Sequence, residues 1–137
     1  MIDFTQLSRL ELAQFIVHHQ AELDAGGIDE HDVLDALATG RAALETRPYG
    51  FAIVEQKPTT SGKSMPHLWL VYIAAEHRSS RQGSKFVREL LVRYASDYHM
   101  SLYCYGSRRR AFFGRLGFRI ESRDGEMRRM TTNTEIR

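Results

Sequence analysis

Between His67 and Leu91 the chain reads HLWLVYIAAEHRSSRQGSKFVRELL, and this stretch limits what the remainder can fold into. His67 to Ala75 is rich in β-branched and aromatic side chains and reads as a strand. A polar loop follows from Glu76 to Gln82, with two arginines and two serines. From Gly83 the apolar period becomes helical, with Val87, Leu90, Leu91, Tyr94, Ala95 and Tyr98 at three- and four-residue spacing. A strand feeding a helix through a polar loop aims backbone N–H groups and the positive end of the helix dipole at one spot, a site suited to phosphate.

The rest of the chain fits one domain, residues 1–137. A chain of this size buries roughly two-thirds of its unfolded surface. No apolar run approaches the ~20 residues of a membrane span. The N-terminus lacks a signal peptide's basic-then-apolar order. A single cysteine, Cys104, excludes an internal disulfide framework and fits a reducing compartment, so the cytoplasm is expected. Net charge is only +2, but residues 1–76 hold 5 Lys+Arg against 11 Asp+Glu, and residues 77–137 hold 14 against 6. A basic second half suits a polyanionic ligand, either a phosphorylated cofactor or nucleic acid.

Taken in order, Met1 to Thr5 reads as a short strand. Ser8 and Glu11 have capping-box spacing before Leu12, Phe15, Ile16 and Leu23, which predicts a helix from Arg9 to Leu23. His18 and His19 lie on it about 100° apart and cannot readily share a metal ion; no metal site is expected. Asp29 caps a second helix with Val33, Leu34, Leu37 and Ala38 inward, stopping at Gly40. Arg41 to Thr46 and Tyr49 to Gln56 read as strands joined by a turn at Arg47-Pro48, and Lys57 to Pro66 as an exposed, mobile loop. Beyond the organising segment, Ser101 to Tyr105 is a strand, and Ser107 caps a short helix ending at Gly117. Phe118 to Ser122 and Glu126 to Thr131 form a hairpin around Asp124-Gly125. Residues 132–137 read as a frayed tail. This order specifies an α/β fold with a mixed, mostly antiparallel sheet flanked by helices.

Two segments carry a family resemblance. Arg78-Ser79-Ser80-Arg81-Gln82-Gly83 resembles the acyl-CoA-binding motif of the GNAT superfamily of N-acetyltransferases: Arg or Gln, two residues, Gly, one residue, then Gly or Ala. Arg81 stands where the first glycine belongs. AFFGRLGF, from Ala111 to Phe118, resembles the family's closing segment, an aromatic pair followed by Leu-Gly-Phe. The resemblance covers about Leu7 to Thr131 and implies a sheet split by a V-shaped gap that holds acetyl-CoA or a related acyl-CoA.

Carried over by position, the resemblance assigns the pantetheine arm to the backbone of Tyr72, Ile73 and Ala74, and the pyrophosphate to Arg78, Ser79, Ser80, Arg81, Gln82, Gly83 and Ser84. An extended amide chain can add to any open strand edge, which supports the first assignment independently. Arg81 either points outward and adds a cation or obstructs the bend. Ser107 is followed by Arg108, Arg109 and Arg110 at a helix N-terminus, where cations oppose the dipole. At least one of these arginines is expected to contact a phosphate of the cofactor.

In the family a tyrosine commonly protonates the departing thiolate; here that position is Phe113, placed beside the cofactor but without a proton to give. Three readings follow. Another group serves as acid, with Tyr105, Tyr103, Ser107 and Cys104 in range. Alternatively the thiolate leaves unaided, a thiol pKa of ~8.5 making it a tolerable leaving group. The third is a fold that binds acyl-CoA without turnover. Glu76 and His77, closing the strand, are the candidate bases, with Glu55 weaker; Trp69 reads as core or pocket wall. The resemblance thus implies direct acetyl transfer to a primary amine on a small molecule or protein, in a chain that could form a homodimer. The alternative is a silent binding module or an RNA-interacting protein, built on Arg78, Arg81, Arg108, Arg109, Arg110 and Arg115 with Tyr103 and Tyr105.

Overall fold

The computed structural model describes residues 1–23, 27–58, 62, 64–78, 81–95 and 99–132. Helix α1 (Arg9–His18) opens with the expected capping box: Ser8 Oγ accepts from the Glu11 N–H at 3.0 Å, and Glu11 Oε1 from the Ser8 N–H at 2.9 Å. The helix predicted to run on to Leu23 breaks at His19, and α2 (Gln20–Leu23) resumes after it. His19 stacks on Phe15 with ring centroids 3.9 Å apart, and its Nδ1 lies 2.9 Å from the Phe15 carbonyl that its own N–H also uses. Helix α3 (Glu30–Thr39) is capped by Asp29 and stops at Gly40 with φ 79°. Its inward face is Val33, Ala36 and Leu37; the expected Ala38 is exposed, because the helical period returns to the core at Ala36 instead.

Strands β1 (Ala42–Arg47), β2 (Gly50–Pro58), β3 (Ser64–Ile73), β4 (Ser101–Tyr105), β5 (Phe118–Asp124) and β6 (Met127–Thr132) form one sheet in the order β1-β2-β3-β4-β6-β5. Every neighbouring pair is antiparallel except β3–β4. Helix α4 (Gln82–Tyr94) follows β3, and α5 (Ser107–Arg115) follows β4. Both faces of the central strands are covered. Phe51, Ile53, Leu70 and Tyr72 pack beneath α1 and α3. Ala52, Val54 and Leu68 pack beneath Phe86, Val87 and Leu90 of α4 and Phe113 of α5.

Several local expectations yield to tertiary pairing. Met1 to Thr5 is not a strand: Asp3 accepts the Thr5 N–H and caps a 3-10 turn, Phe4–Gln6, whose Phe4 is buried. The β1–β2 turn falls at Pro48-Tyr49, because Arg47 pairs with Gly50. The loop expected over Lys57 to Pro66 contracts, since β2 and β3 pair as far as Pro58 opposite Ser64; its centre, 59–61 and 63, lies outside the described residues. At the other end β3 stops at Ile73, and Ala75–His77 turns as a 3-10 helix. Ser107 is the first residue of α5, not its cap; that position belongs to Gly106, at φ 85°. The last hairpin turns at Gly125-Glu126, Asp124 pairing with Met127. Tyr98 and the tail from Asn133 lie outside the described residues.

The parallel β3–β4 contact is confined to His67 opposite Ser101. Beyond it β3 carries a bulge: Leu68 pairs with Val54 and Leu70 with Ile53, leaving Trp69 unopposed. A bulge bends its strand, and past Trp69 the edge of β3 that looks toward β4 has no strand partner among the described residues. The sheet is therefore split.

Arg81 caps α4 with φ 66° and ψ 11°, the only non-glycine residue at positive φ among the described residues. An L-residue in this left-handed region costs roughly 1–2 kcal/mol. The glycine position of the motif thus keeps a glycine's backbone shape, with the arginine side chain exposed. Arg81→Gly is expected to raise the thermal midpoint by about 3 °C, from roughly 1 kcal/mol of relieved strain, whereas Arg81→Ala leaves it unchanged, as calorimetry can check.

Candidate functional site

The split in the sheet opens a cavity of about 520 Å³. One wall is the free edge of β3, and backbone alternation fixes which groups it presents. A Cβ added to Gly50 would stand 2.0 Å from the Tyr72 carbonyl oxygen, so that carbonyl points toward β2 and only glycine fits opposite it. Ala74 likewise donates its N–H to Tyr49 O at 2.9 Å. Val71 and Ile73, alternating with Tyr72, turn their backbone groups to the gap. Of the three residues assigned to the pantetheine arm, Ile73 and Tyr72 line the cavity and Ala74 does not. Val71, absent from that assignment, does.

The opposite wall is apolar at Val87, Phe112 and Phe113 and basic at Arg108, Arg109 and Arg115. Gly83 sits against it: a Cβ there would lie 3.5 Å from both Phe112 and Ile73 side-chain atoms, ordinary contact. From the phosphate loop, Arg78 and Gly83 reach the cavity; Arg81, Gln82 and Ser84 lie outside its lining, and Ser79 and Ser80 lie outside the described residues. Ser107 and Arg110 also stand apart from it. Glu22, at the end of α2, is the acidic member of the lining. Sequence reasoning missed it, because nothing local marks a glutamate on α2 as the neighbour of a loop 56 residues away.

A second, smaller chamber of about 30 Å³ shares Val71, Arg109 and Phe113 with the first, so it is the inner end of the same gap; Trp69 and Tyr103 also line it. Tyr105 lines neither chamber. Glu76 is exposed and His77 packs toward Tyr49 with centroids 6.1 Å apart; neither lines the cavity, nor does Glu55. Leu102 and Cys104 are buried on the α5 side of β4, which turns Tyr103 and Tyr105 to the other face. Of these two tyrosines only Tyr103 shares a lining with an α5 arginine.

At the point where the strands part, His67 and Ser101 are buried together, His67 Nδ1 lying 2.7 Å from Ser101 Oγ. Burial first, then the charges of Lys57 and Arg129, lowers the His67 pKa from 6.5 to about 3. With both side chains about 2% exposed, the pair is closed to substrate and serves as the pin of the split rather than a nucleophile and base. Among the described residues no group of three or more His, Cys, Asp and Glu side chains assembles.

No protein-family model and no curated relative matches the sequence. Solved structures do. An acetyltransferase from Thermus thermophilus superposes with a TM-score of 0.63 at 17% identity, over 88% of this chain and 86% of that one. A GNAT-family acetyltransferase from Listeria monocytogenes gives 0.62 at 17% identity, over 90% and 88%. Arabidopsis thaliana Naa50, in complex with the bisubstrate analogue CoA-Ac-MVNAL, gives 0.60 at 15% identity, over 91% and 93%. The chain has the GNAT acetyltransferase fold, with the mixed, mostly antiparallel sheet that its sequence order specifies.

The depressed His67 pKa makes stability depend on pH. The unfolded chain binds the proton near 6.5 and the folded chain only near 3, so between these values the unfolded state holds more protons and stability falls as pH falls. From pH 7 to 5 the loss is about 2 kcal/mol. Denaturant midpoints at the two pH values are expected to show this loss in the native chain and a flatter response in His67→Gln.

Proposed function

We propose that this chain is an acyl-CoA-dependent N-acyltransferase, moving an acetyl group from acetyl-CoA to a primary amine within a ternary complex. The observation that carries the reading is the unpaired edge of β3 facing a cavity rimmed by arginines. An amide-bearing arm adds to a strand edge through backbone hydrogen bonds, and the guanidinium groups suit a phosphorylated ligand. In this reading Val71 and Ile73 hold the arm, and Val87, Phe112 and Phe113 keep water from it. Arg108, Arg109 and Arg115 neutralise the phosphates, and the N-terminus of α4 behind Gly83 supports the diphosphate. The bisubstrate analogue on the Arabidopsis protein joins CoA to a peptide; by analogy the acceptor here is an amine on a peptide or a small molecule. A buried lone cysteine and the absence, among the described residues, of a helix fit to span a membrane are compatible with the cytoplasm.

In the transfer, the neutral amine nitrogen forms a C–N bond to the thioester carbonyl carbon. The C–S bond breaks, the sulfur leaves with the electron pair, and the amine proton passes to water. Phe113 cannot protonate the sulfur. Tyr103 lines the inner chamber beside Phe113 and Trp69 and Tyr105 does not, so Tyr103 is the hydroxyl we assign to this step; it regains its proton from solvent.

Thiol release from acetyl-CoA with a panel of amines tests the activity. Tyr103→Phe is expected to lower kcat about 100-fold with KM for acetyl-CoA within twofold, and Tyr105→Phe to leave both near native. An unchanged kcat in Tyr103→Phe means that the thiolate departs unaided. For the phosphate contacts, Arg108→Ala and Arg115→Ala are each expected to weaken CoA binding about tenfold, and Arg110→Ala to leave it within twofold, by calorimetric titration. Whichever variant narrows the difference between CoA and 3′-dephospho-CoA identifies the arginine on the 3′-phosphate.

A further inference from the structure

Arg78 joins three parts of the cavity wall. Its Nε donates to the Ile73 carbonyl at 2.7 Å, its Nη2 donates to Glu22 Oε2 at 2.9 Å, and its guanidinium lies over the Tyr72 ring with 5.3 Å to the centroid. Arg109, across the gap on α5, donates to the backbone carbonyl of the same Glu22. Glu22 is thus tied both to the loop after β3 and to the helix after β4. The Ile73 carbonyl is one of the groups that the split turns toward the cavity, and Arg78 occupies it.

We propose that Glu22 and Arg78 form a clasp that closes the free edge of β3, so that an acyl-CoA must displace Arg78 from the Ile73 carbonyl to enter. This rests on the cofactor reading above and adds a control to it. The guanidinium fork lets one side chain serve a carbonyl and a carboxylate at once. Glu22 holds it in that position, and the phosphates of the incoming ligand offer a competing anion. Both side chains of the pair are half exposed, so the clasp is weak enough for a ligand to open: a surface ion pair of this kind amounts to a factor of about five in an equilibrium constant at most. Glu22 then does not recognise the cofactor; it opposes it.

The test uses the full chain and CoA itself, with binding followed by stopped-flow fluorescence of Trp69, the single tryptophan, which lines the inner chamber. Glu22→Gln and Arg78→Lys are each expected to raise the association rate about fivefold, and the double variant to equal either single one, because both remove the same contact. Arg78→Lys keeps the positive charge but loses the fork, which separates release of the clasp from simple removal of the glutamate's charge. Association about fivefold faster in each single variant than in the native chain, with no further gain in the double variant, supports the clasp. Binding of CoA by the native chain with additive effects of the two substitutions, or with no faster entry in Arg78→Lys, overturns the clasp and leaves the cofactor reading intact. Failure of all four proteins to bind CoA overturns both.

Discussion

The parting of β3 and β4 is the constraint on which the rest depends. The two strands meet only where His67 faces Ser101, and the extra residue Trp69 then bends β3 away. An unpaired strand edge inside a sheet leaves polar backbone groups without partners, an arrangement proteins ordinarily avoid. Here it is held open from both sides. The buried His67–Ser101 pair and the chain β4–β6–β5 fix one half, and the long β2–β3 ladder fixes the other. The two helices that follow β3 and β4 line the opening with Val87 and Phe113, so it stays a slot instead of collapsing. Filling such a slot with an extended amide arm would satisfy the edge, which links the topology to the proposed ligand.

Charge enters through the same geometry. Arginines gather at the first turn of α5, which holds no acidic residue of its own and where the dipole makes cations unfavourable for the helix itself. Their position is intelligible once the gap is seen: Arg108 and Arg109 reach it, Arg115 joins them about two turns further along the same helix face, and Arg78 arrives from the loop after β3. Against four cations stands Glu22, contributed by the acidic N-terminal half. The acidic and basic halves of the chain meet at this cavity, as they also do where Arg93 pairs with Glu45.

A separate network stabilises the far side of α4. Glu45 on β1 is nearly buried and accepts from the Tyr94 hydroxyl at 2.5 Å, with Arg93 at 3.2 Å and Arg47 at 3.6 Å. Burial and the neighbouring carboxylate push the Tyr94 pKa up to about 12, so its proton stays in the bond to Glu45 across the physiological range. This ties the helix that forms one wall of the gap to the sheet edge remote from it, an ordering role in keeping with a wall that must not shift.

What the amino-acid order determined by itself was local or periodic. The capping box at Ser8, the cap at Asp29 and the stop at Gly40 rest on contacts within a few residues, and the helix after the polar loop and the strand Ser101 to Tyr105 were legible from the period of their apolar side chains. The two motifs, Arg78 to Gly83 and Ala111 to Phe118, pointed to the fold that the solved structures share. Only tertiary structure decided which residues meet across the gap. The pairing of β2 with β3 drew Lys57 to Pro58 and Ser64 to Pro66 out of an expected loop, because a ladder between neighbouring strands satisfies backbone groups that turn propensity leaves to water. The bulge at Trp69, the carbonyl of Ile73 turned outward, Tyr103 reaching the inner chamber in place of Tyr105, and Glu22 beside Arg78 depend on register and on contacts between distant segments. Such contacts are set by how whole elements pack, and no window of a few residues contains them.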